Sequence, residues 1–172
     1  MADTVSRRNL RTIFYPESVA IVGANKVPGT VPYDIVINVL RSDFQGVVWP
    51  VSPKERTIGG VKAYKYIVDI EDPVDLAVLV FPSSVCHLAM EQCGQKGVKS
   101  AIIISAGFKE VGGAGLDIEQ RIVAICREAG VPLVGPNCLG VINPSEEVRL
   151  NASFSARMPK AGNISFISQS GA

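Results

Sequence analysis

Two kinds of apolar segment alternate along the chain. Short, nearly continuous runs of aliphatic residues recur at 18–22 (SVAIV), 47–51 (VVWPV), 75–81 (DLAVLVF), 101–105 (AIIIS) and 131–135 (VPLVG). Runs of this length without alternation predict strands covered on both faces, as in a parallel sheet. Between them apolar residues return every three or four positions. Ile35, Val36, Val39 and Leu40 predict a helix over 33–40, with Pro32 in its first turn, where a missing N–H costs nothing. Ser84 is the expected N-cap of a helix reaching Gln95. Ile118, Ile122, Val123 and Ile125 predict a helix over 116–128, stopped by Gly130. A brief helical turn is expected over 67–70.

Strands alternating with helices predict an α/β fold: a Rossmann-like, doubly wound parallel sheet with right-handed crossovers. Ligands of such sheets sit beyond the carboxyl ends of the strands. Those ends read VGANKVPG, VSPK, FPSS, ISAGF and GPNCLG, every one a turn of small residues or proline. After Asn143 the pattern lapses. Residues 146–161 read as a linker or an edge ribbon, and 164–167 as a strand entering a Ser-Gln-Ser-Gly turn. The expected organisation is an N-terminal segment (1–13), a binding domain (14–145), the linker (146–161) and the start of a second α/β domain (162–172). A strand without its helix cannot bury its faces, so the pattern is that of a piece of a longer protein.

Composition narrows the partners. The 172 residues are 47% hydrophobic and 19% charged, enough for a substantial core, and the net charge is +1. Neither a basic stripe nor an aromatic platform invites nucleic acid. No run approaches the ~18 apolar residues that span a bilayer, and no apolar stretch follows the opening MADTVSRRNL, so a cytoplasmic location is expected. Arg7, Arg8 and Arg11 read as part of a solvated N-terminal segment. Cys86, Cys93, Cys126 and Cys138 lack CxxC spacing, and His87 is the single histidine, so no metal site is expected.

The loop after the first strand decides what kind of ligand is bound. A dinucleotide fingerprint needs glycines two and five residues after Gly23, and the chain has Asn25 and Pro28 there. Nicotinamide enzymes place an acid near the end of the second strand to hold ribose hydroxyls. Here Ser52 and Pro53 lead to Lys54, which suits a phosphate. NADP and coenzyme A both carry a ribose phosphate and both satisfy that lysine. The loop still suits a phosphate, because Gly23 permits close approach and the following helix offers free N–H groups.

The segments PESVAIVGA, VSPK, DPVDLAVLVFP, IIISAGFKEVG and GPNCLGVINP closely resemble the coenzyme A-binding domain of NDP-forming acyl-CoA synthetases, the ADP-forming acetate–CoA ligase type. The α subunit of succinyl-CoA synthetase is a more distant relative. The resemblance spans 14–172. It implies that Gly23, Ala24, Asn25, Lys26, Pro28 and Gly29 wrap the coenzyme's phosphates and that Lys54 meets its nucleotide phosphate end. Phe81, Pro82 and Ser83 would line the adenine and pantetheine path, Ser105, Ala106 and Gly107 the pantetheine. Pro136, Asn137 and Cys138 would border the thiol. Ser168, Gln169, Ser170 and Gly171 would begin the second domain, whose helix N-terminus holds a phosphate.

The family's reaction passes through acyl phosphate and a phosphohistidine to ADP. That histidine would lie beyond Ala172, and His87 matches no such position. The expectation is therefore a fragment that binds coenzyme A or acyl-CoA without turnover. ADP or ATP and magnesium would be held by the remaining domains or by a β subunit. Competing expectations are the same module in a protein N-acetyltransferase or regulatory protein, an NADP-binding Rossmann domain, and a stand-alone coenzyme A sensor.

Remaining residues have plainer readings. Cys138 reads as a small packing residue, with no His or Asp partner to activate it. Trp49 lies within a strand and reads as core, although it or Tyr64 could stack on adenine. Lys109 and Glu110 with the glycines at 112, 113 and 115 form either a lid or a solvated loop.

Overall fold

The computed structural model describes residues 7–163, with side chains described from residue 10 onward. The apolar runs become five parallel strands: β1 (Ser18–Val22), β2 (Val47–Val51), β5 (Leu76–Leu79), β6 (Ser100–Ile103) and β7 (Leu133–Val134). They lie in the order β2-β1-β5-β6-β7, and every neighbouring pair is parallel. The chain runs outward from β1 to β2, then returns to build the other half of the sheet. The order therefore reverses between β1 and β5, where the crossovers on the two sides diverge and leave a crevice.

Side chains of the central strands alternate between two buried layers, as the period of a strand requires. Ala20, Val22, Ala77, Leu79, Ala101 and Ile103 face the layer beneath α3 (Ser83–Lys96) and α4 (Ala114–Ala129). Val19, Ile21, Leu76, Val78 and Ile102 face the layer of α2 (Val31–Arg41). Each Val, Leu or Ile among them contributes roughly 1.5–3 kcal/mol by leaving water. Both faces being covered explains why the strands read as unbroken apolar runs. Among the described residues no helix is long and apolar enough to cross a membrane.

The α2 layer has two further members. The N-terminal segment contains α1 (Arg7–Phe14), whose Ile13 is buried in this layer. Residues expected as a linker or an edge ribbon contain β9 (Leu150–Ser153), paired antiparallel with β8 (Gly140–Asn143). Leu150 and Ala152 enter the core, and the polar alternates are satisfied internally: Ser153 donates to the Asn151 carboxamide at 2.7 Å. Asn38 on α2 donates to the Ser153 and Ser155 carbonyls at 2.9 and 3.0 Å, fastening the ribbon to the helix. A smaller hairpin, β3 (Thr57–Ile58) with β4 (Val61–Lys62), follows β2.

Helix boundaries differ slightly from expectation. α3 begins at Ser83 with Pro82 at the cap, so Ser84 sits in the first turn. The loop 105–113 is pinned: Phe108 is fully buried, and a Cβ on Gly115 would clash with the Phe108 carbonyl oxygen. At the amino end of the sheet, buried Asp75 binds the strands' starts together. Its carboxylate accepts the Glu17 N–H at 2.8 Å and pairs with Lys99 at 2.7 Å. Its backbone N–H takes the Ser18 hydroxyl oxygen at 3.0 Å, and its carbonyl accepts from Ser100 at 3.0 Å.

Candidate functional site

The crevice at the carboxyl edge is bounded by the loops after β1 and β5. Gly23 has φ +100°, and a Cβ there would lie 3.2 Å from the Phe81 ring. Glycine thus lets the two loops touch. The Gly23 and Ala24 N–H groups both donate to the Val51 carbonyl, at 3.0 and 3.1 Å, so they hold the loop to β2 and are not free for a ligand. The Asn25 carboxamide oxygen accepts from the Val27 N–H at 2.9 Å and the Thr30 hydroxyl at 3.0 Å, shaping the turn into α2. The N–H groups of Lys26 and Gly29 have no partner among the described residues. Lys26 pairs with Glu55 at 3.1 Å, linking this loop to the one after β2. Pro28 and Gly29 lie exposed at the loop's tip.

Three cavities follow the sheet edge. The first, about 610 Å³, lies beyond β2 and is lined by Lys54, Arg56, Lys62 and Lys65 together with Glu55. The second, about 130 Å³, lies at the crevice and is lined by Val22, Val51, Tyr66, Phe81, Val85 and Leu88, and by Pro53 and Lys65, which it shares with the first. Trp49 does not line it. That ring packs half-buried against the core, edge-on to Tyr64 at 5.6 Å.

The third cavity, about 420 Å³, lies beyond β5, β6 and β7. Ser105, Ala106, Asn137 and Cys138 supply its polar and small walls. Val31 and Pro32 from the start of α2, with Leu139 and Phe154, supply apolar ones. The turn carrying Asn137 is set by a cis Gly135–Pro136 bond and by the Asn137 N–H donating to Ser105 O at 2.9 Å. Cys138 is half-buried, its thiol donates to Ile103 O at 3.4 Å, and burial holds its pKa above the ordinary value. Nearby, a Cβ on Gly107 would stand 2.8 Å from the Ser83 hydroxyl, so the loops after β5 and β6 also touch. The Gly107 N–H donates to Glu110 at 2.6 Å and the Phe108 N–H to the same carboxylate at 3.1 Å; the first bond leads in holding the Glu110 carboxyl below its usual pKa.

Of the residues named from the sequence, Lys54, Phe81, Ser105, Ala106, Asn137 and Cys138 line cavities, and Pro82 and Ser83 open α3; Gly23, Ala24, Asn25, Lys26, Pro28, Gly29 and Gly107 line none of the three. Sequence reasoning missed Arg56, which stands two residues beyond Lys54; Lys62 and Lys65, which the β3–β4 hairpin brings back beside Lys54; and Phe154, which β9 delivers. Ser168, Ser170 and Gly171 lie outside the described residues. His87 is half-buried on α3 and lines none of these cavities.

The family described as CoA binding domain matches residues 17–144. An ADP-forming acetate–CoA ligase of Methanocaldococcus jannaschii is 47% identical over 163 residues, covering 95% of this chain and 22% of that protein. An ADP-forming 4-hydroxybutyrate–CoA ligase of Nitrosopumilus maritimus is 41% identical over 160 residues, covering 93% of this chain and 23% of that protein. The apo structure of a dinucleotide-forming acetyl-coenzyme A synthetase 1 from Ca. Korarchaeum cryptofilum superposes with a TM-score of 0.87 at 38% identity, covering 95% of this chain and 35% of that one. The chain therefore spans under a quarter of the length of these two curated ligases.

Proposed function

The chain belongs to the CoA binding domain family, and from that premise we propose that it holds coenzyme A along the carboxyl edge of its sheet for an ADP-forming acyl-CoA ligase. One observation carries the reading: the chemistry of the three cavities. A cationic cavity, an aromatic one and a largely apolar one with Ser105, Asn137 and Cys138 in its wall follow each other along the edge. Coenzyme A offers matching groups: its 3′-phosphate and adenine sit together on one ribose, and a diphosphate and pantetheine arm leads from that ribose to the thiol. Lys54 faces the phosphate end. Phe81 and Tyr66 flank the adenine. Ser105, Ala106 and Asn137 line the path of the pantetheine toward its thiol, which Cys138 borders.

The first loop acts through shape and through the residues still free to bind. Gly23 and Ala24 set the close approach of the loops, and Asn25 holds the turn. While the Lys26 ammonium pairs with Glu55, the N–H groups of Lys26 and Gly29 are left to meet the diphosphate beside the start of α2, where helix N–H groups favour anions. Pro28 fixes the loop between them. The parent protein interconverts acyl-CoA, phosphate and ADP with acid, coenzyme A and ATP. Its nucleotide and magnesium are held by further domains or by a second subunit, and this chain alone positions coenzyme without turnover. Four free thiols suit a reducing, cytoplasmic setting.

Calorimetric titration with coenzyme A, dephospho-coenzyme A and NADP tests the reading. Coenzyme A should bind tightest. Lys54→Ala should weaken coenzyme A by ~10–100-fold, the scale of one charge-assisted contact, and leave dephospho-coenzyme A nearly unchanged. Tighter binding of NADP, or no response to coenzyme A, would overturn it.

A further inference from the structure

We propose that Glu55 is an internal competitor for coenzyme A: its carboxylate holds the Lys26 ammonium until the coenzyme's diphosphate displaces it, so that this pair sets affinity and residence time. The inference rests on the coenzyme reading above and adds to it a residue that weakens binding. In the loop after β2, Pro53, Lys54, Arg56 and Thr57 are exposed, whereas Glu55 is half-buried. It is the one acid in a lining that holds Lys54, Arg56, Lys62 and Lys65. Yet it pairs with none of these four, which have no carboxylate within ion-pair distance among the described residues. Its carboxylate reaches across to the loop after β1 instead, where it meets Lys26 at 3.1 Å.

The pair is not needed to hold the two loops together. The Gly23 and Ala24 N–H groups already bind Val51 O at 3.0 and 3.1 Å, and the Asn25 carboxamide closes the turn through the Val27 N–H at 2.9 Å and the Thr30 hydroxyl at 3.0 Å. What the pair does is occupy the single ammonium of the stretch 23–30, beside the unpartnered N–H groups of Lys26 and Gly29. An ion pair this open to water is weak enough to exchange. A diphosphate brings two charges where Glu55 brings one, and the free N–H groups add to its hold, so the exchange favours the coenzyme. The broken pair still counts against the bound state. Its re-formation helps the coenzyme leave, so the effect belongs chiefly to the dissociation rate.

The test titrates this chain and its Glu55→Gln, Lys26→Ala and Lys26→Ala/Glu55→Gln variants with coenzyme A and dephospho-coenzyme A. Glu128→Gln, which removes the same charge at the exposed end of α4, is the control. Glu55→Gln should tighten both ligands by ~3–5-fold, because both keep the diphosphate, and should slow their dissociation in proportion. In the Lys26→Ala background the same substitution should change affinity by less than ~1.5-fold. A loss or no gain from Glu55→Gln would overturn the competitor while leaving the coenzyme site standing. So would an equal gain in the Lys26→Ala background or from Glu128→Gln, which would make the effect one of general repulsion. A gain for coenzyme A alone would overturn it too, by setting Glu55 against the ribose phosphate. Failure of the unsubstituted chain to bind coenzyme A would overturn both readings.

Discussion

At the scale of the residue, Gly23 illustrates how the site is made by close approach. Its φ of +100° is strained for any side chain, and a Cβ would meet the Phe81 ring at 3.2 Å. Gly23→Ala should cost ~1–2 kcal/mol in backbone strain and displace the ring that lines the central cavity. We expect a chain that still folds, with a melting temperature lowered by a few degrees, and coenzyme A affinity reduced more than ~10-fold. Gly29 offers the control. Nothing lies within 4 Å of a Cβ there, so Gly29→Ala should pay the conformational cost without moving a neighbour. Thermal melts and calorimetry on the two variants separate the effects; equal affinity losses would remove Phe81 from the argument.

At the scale of the element, α3 and α4 meet through thiols. Burial pushes Cys86 up to about 11 and Cys126 up to about 11, and burial, seconded by Cys126, pushes Cys93 up to about 12. The folded chain therefore keeps these protons where the unfolded chain, with thiols near 9.0, releases them. The resulting stability is fully present below pH 9 and is lost as pH rises from there through about 11–12, by ~1.4 kcal/mol per pH unit for each thiol. Urea unfolding between pH 8 and 10.5 should show this decline, and a Cys86→Ala/Cys93→Ala/Cys126→Ala chain should show a flatter one. Identical slopes would mean that the thiols ionise without opening the helix pair.

The elements also show where the sequence was legible. The five strands and three crossover helices announced themselves because burial on both faces, or on one helical face, repeats over enough residues to make a period. β9 did not, since its four residues give only two alternations and its polar positions are satisfied inside the ribbon. The hairpin after β2 has two-residue strands and no period at all, so the return of Lys62 and Lys65 to the side of Lys54 was invisible. The commitment of the Gly23 and Ala24 N–H groups to Val51 depends on how β1 and β2 sit against each other, which one strand's sequence does not contain.

At the scale of the whole molecule, the loops after β2, β5, β6 and β7 shape cavities at the carboxyl edge of the sheet, whereas Asp75, Lys99 and Ser18 fasten the opposite edge. Strands of four or five residues put roughly 15 Å between them. Groups so far apart, sharing no partner, act on free energy independently. Asp75→Ala should remove ~1.5–3 kcal/mol of stability and leave coenzyme A affinity intact, whereas Lys54→Ala should do the reverse. The doubly substituted chain should equal the sum of the two within ~0.5 kcal/mol in urea unfolding and in titration alike. Robustness and selectivity are thus separately adjustable in this sheet: a variant library could raise heat tolerance at one rim while a second, screened in parallel, retunes ligand choice at the other.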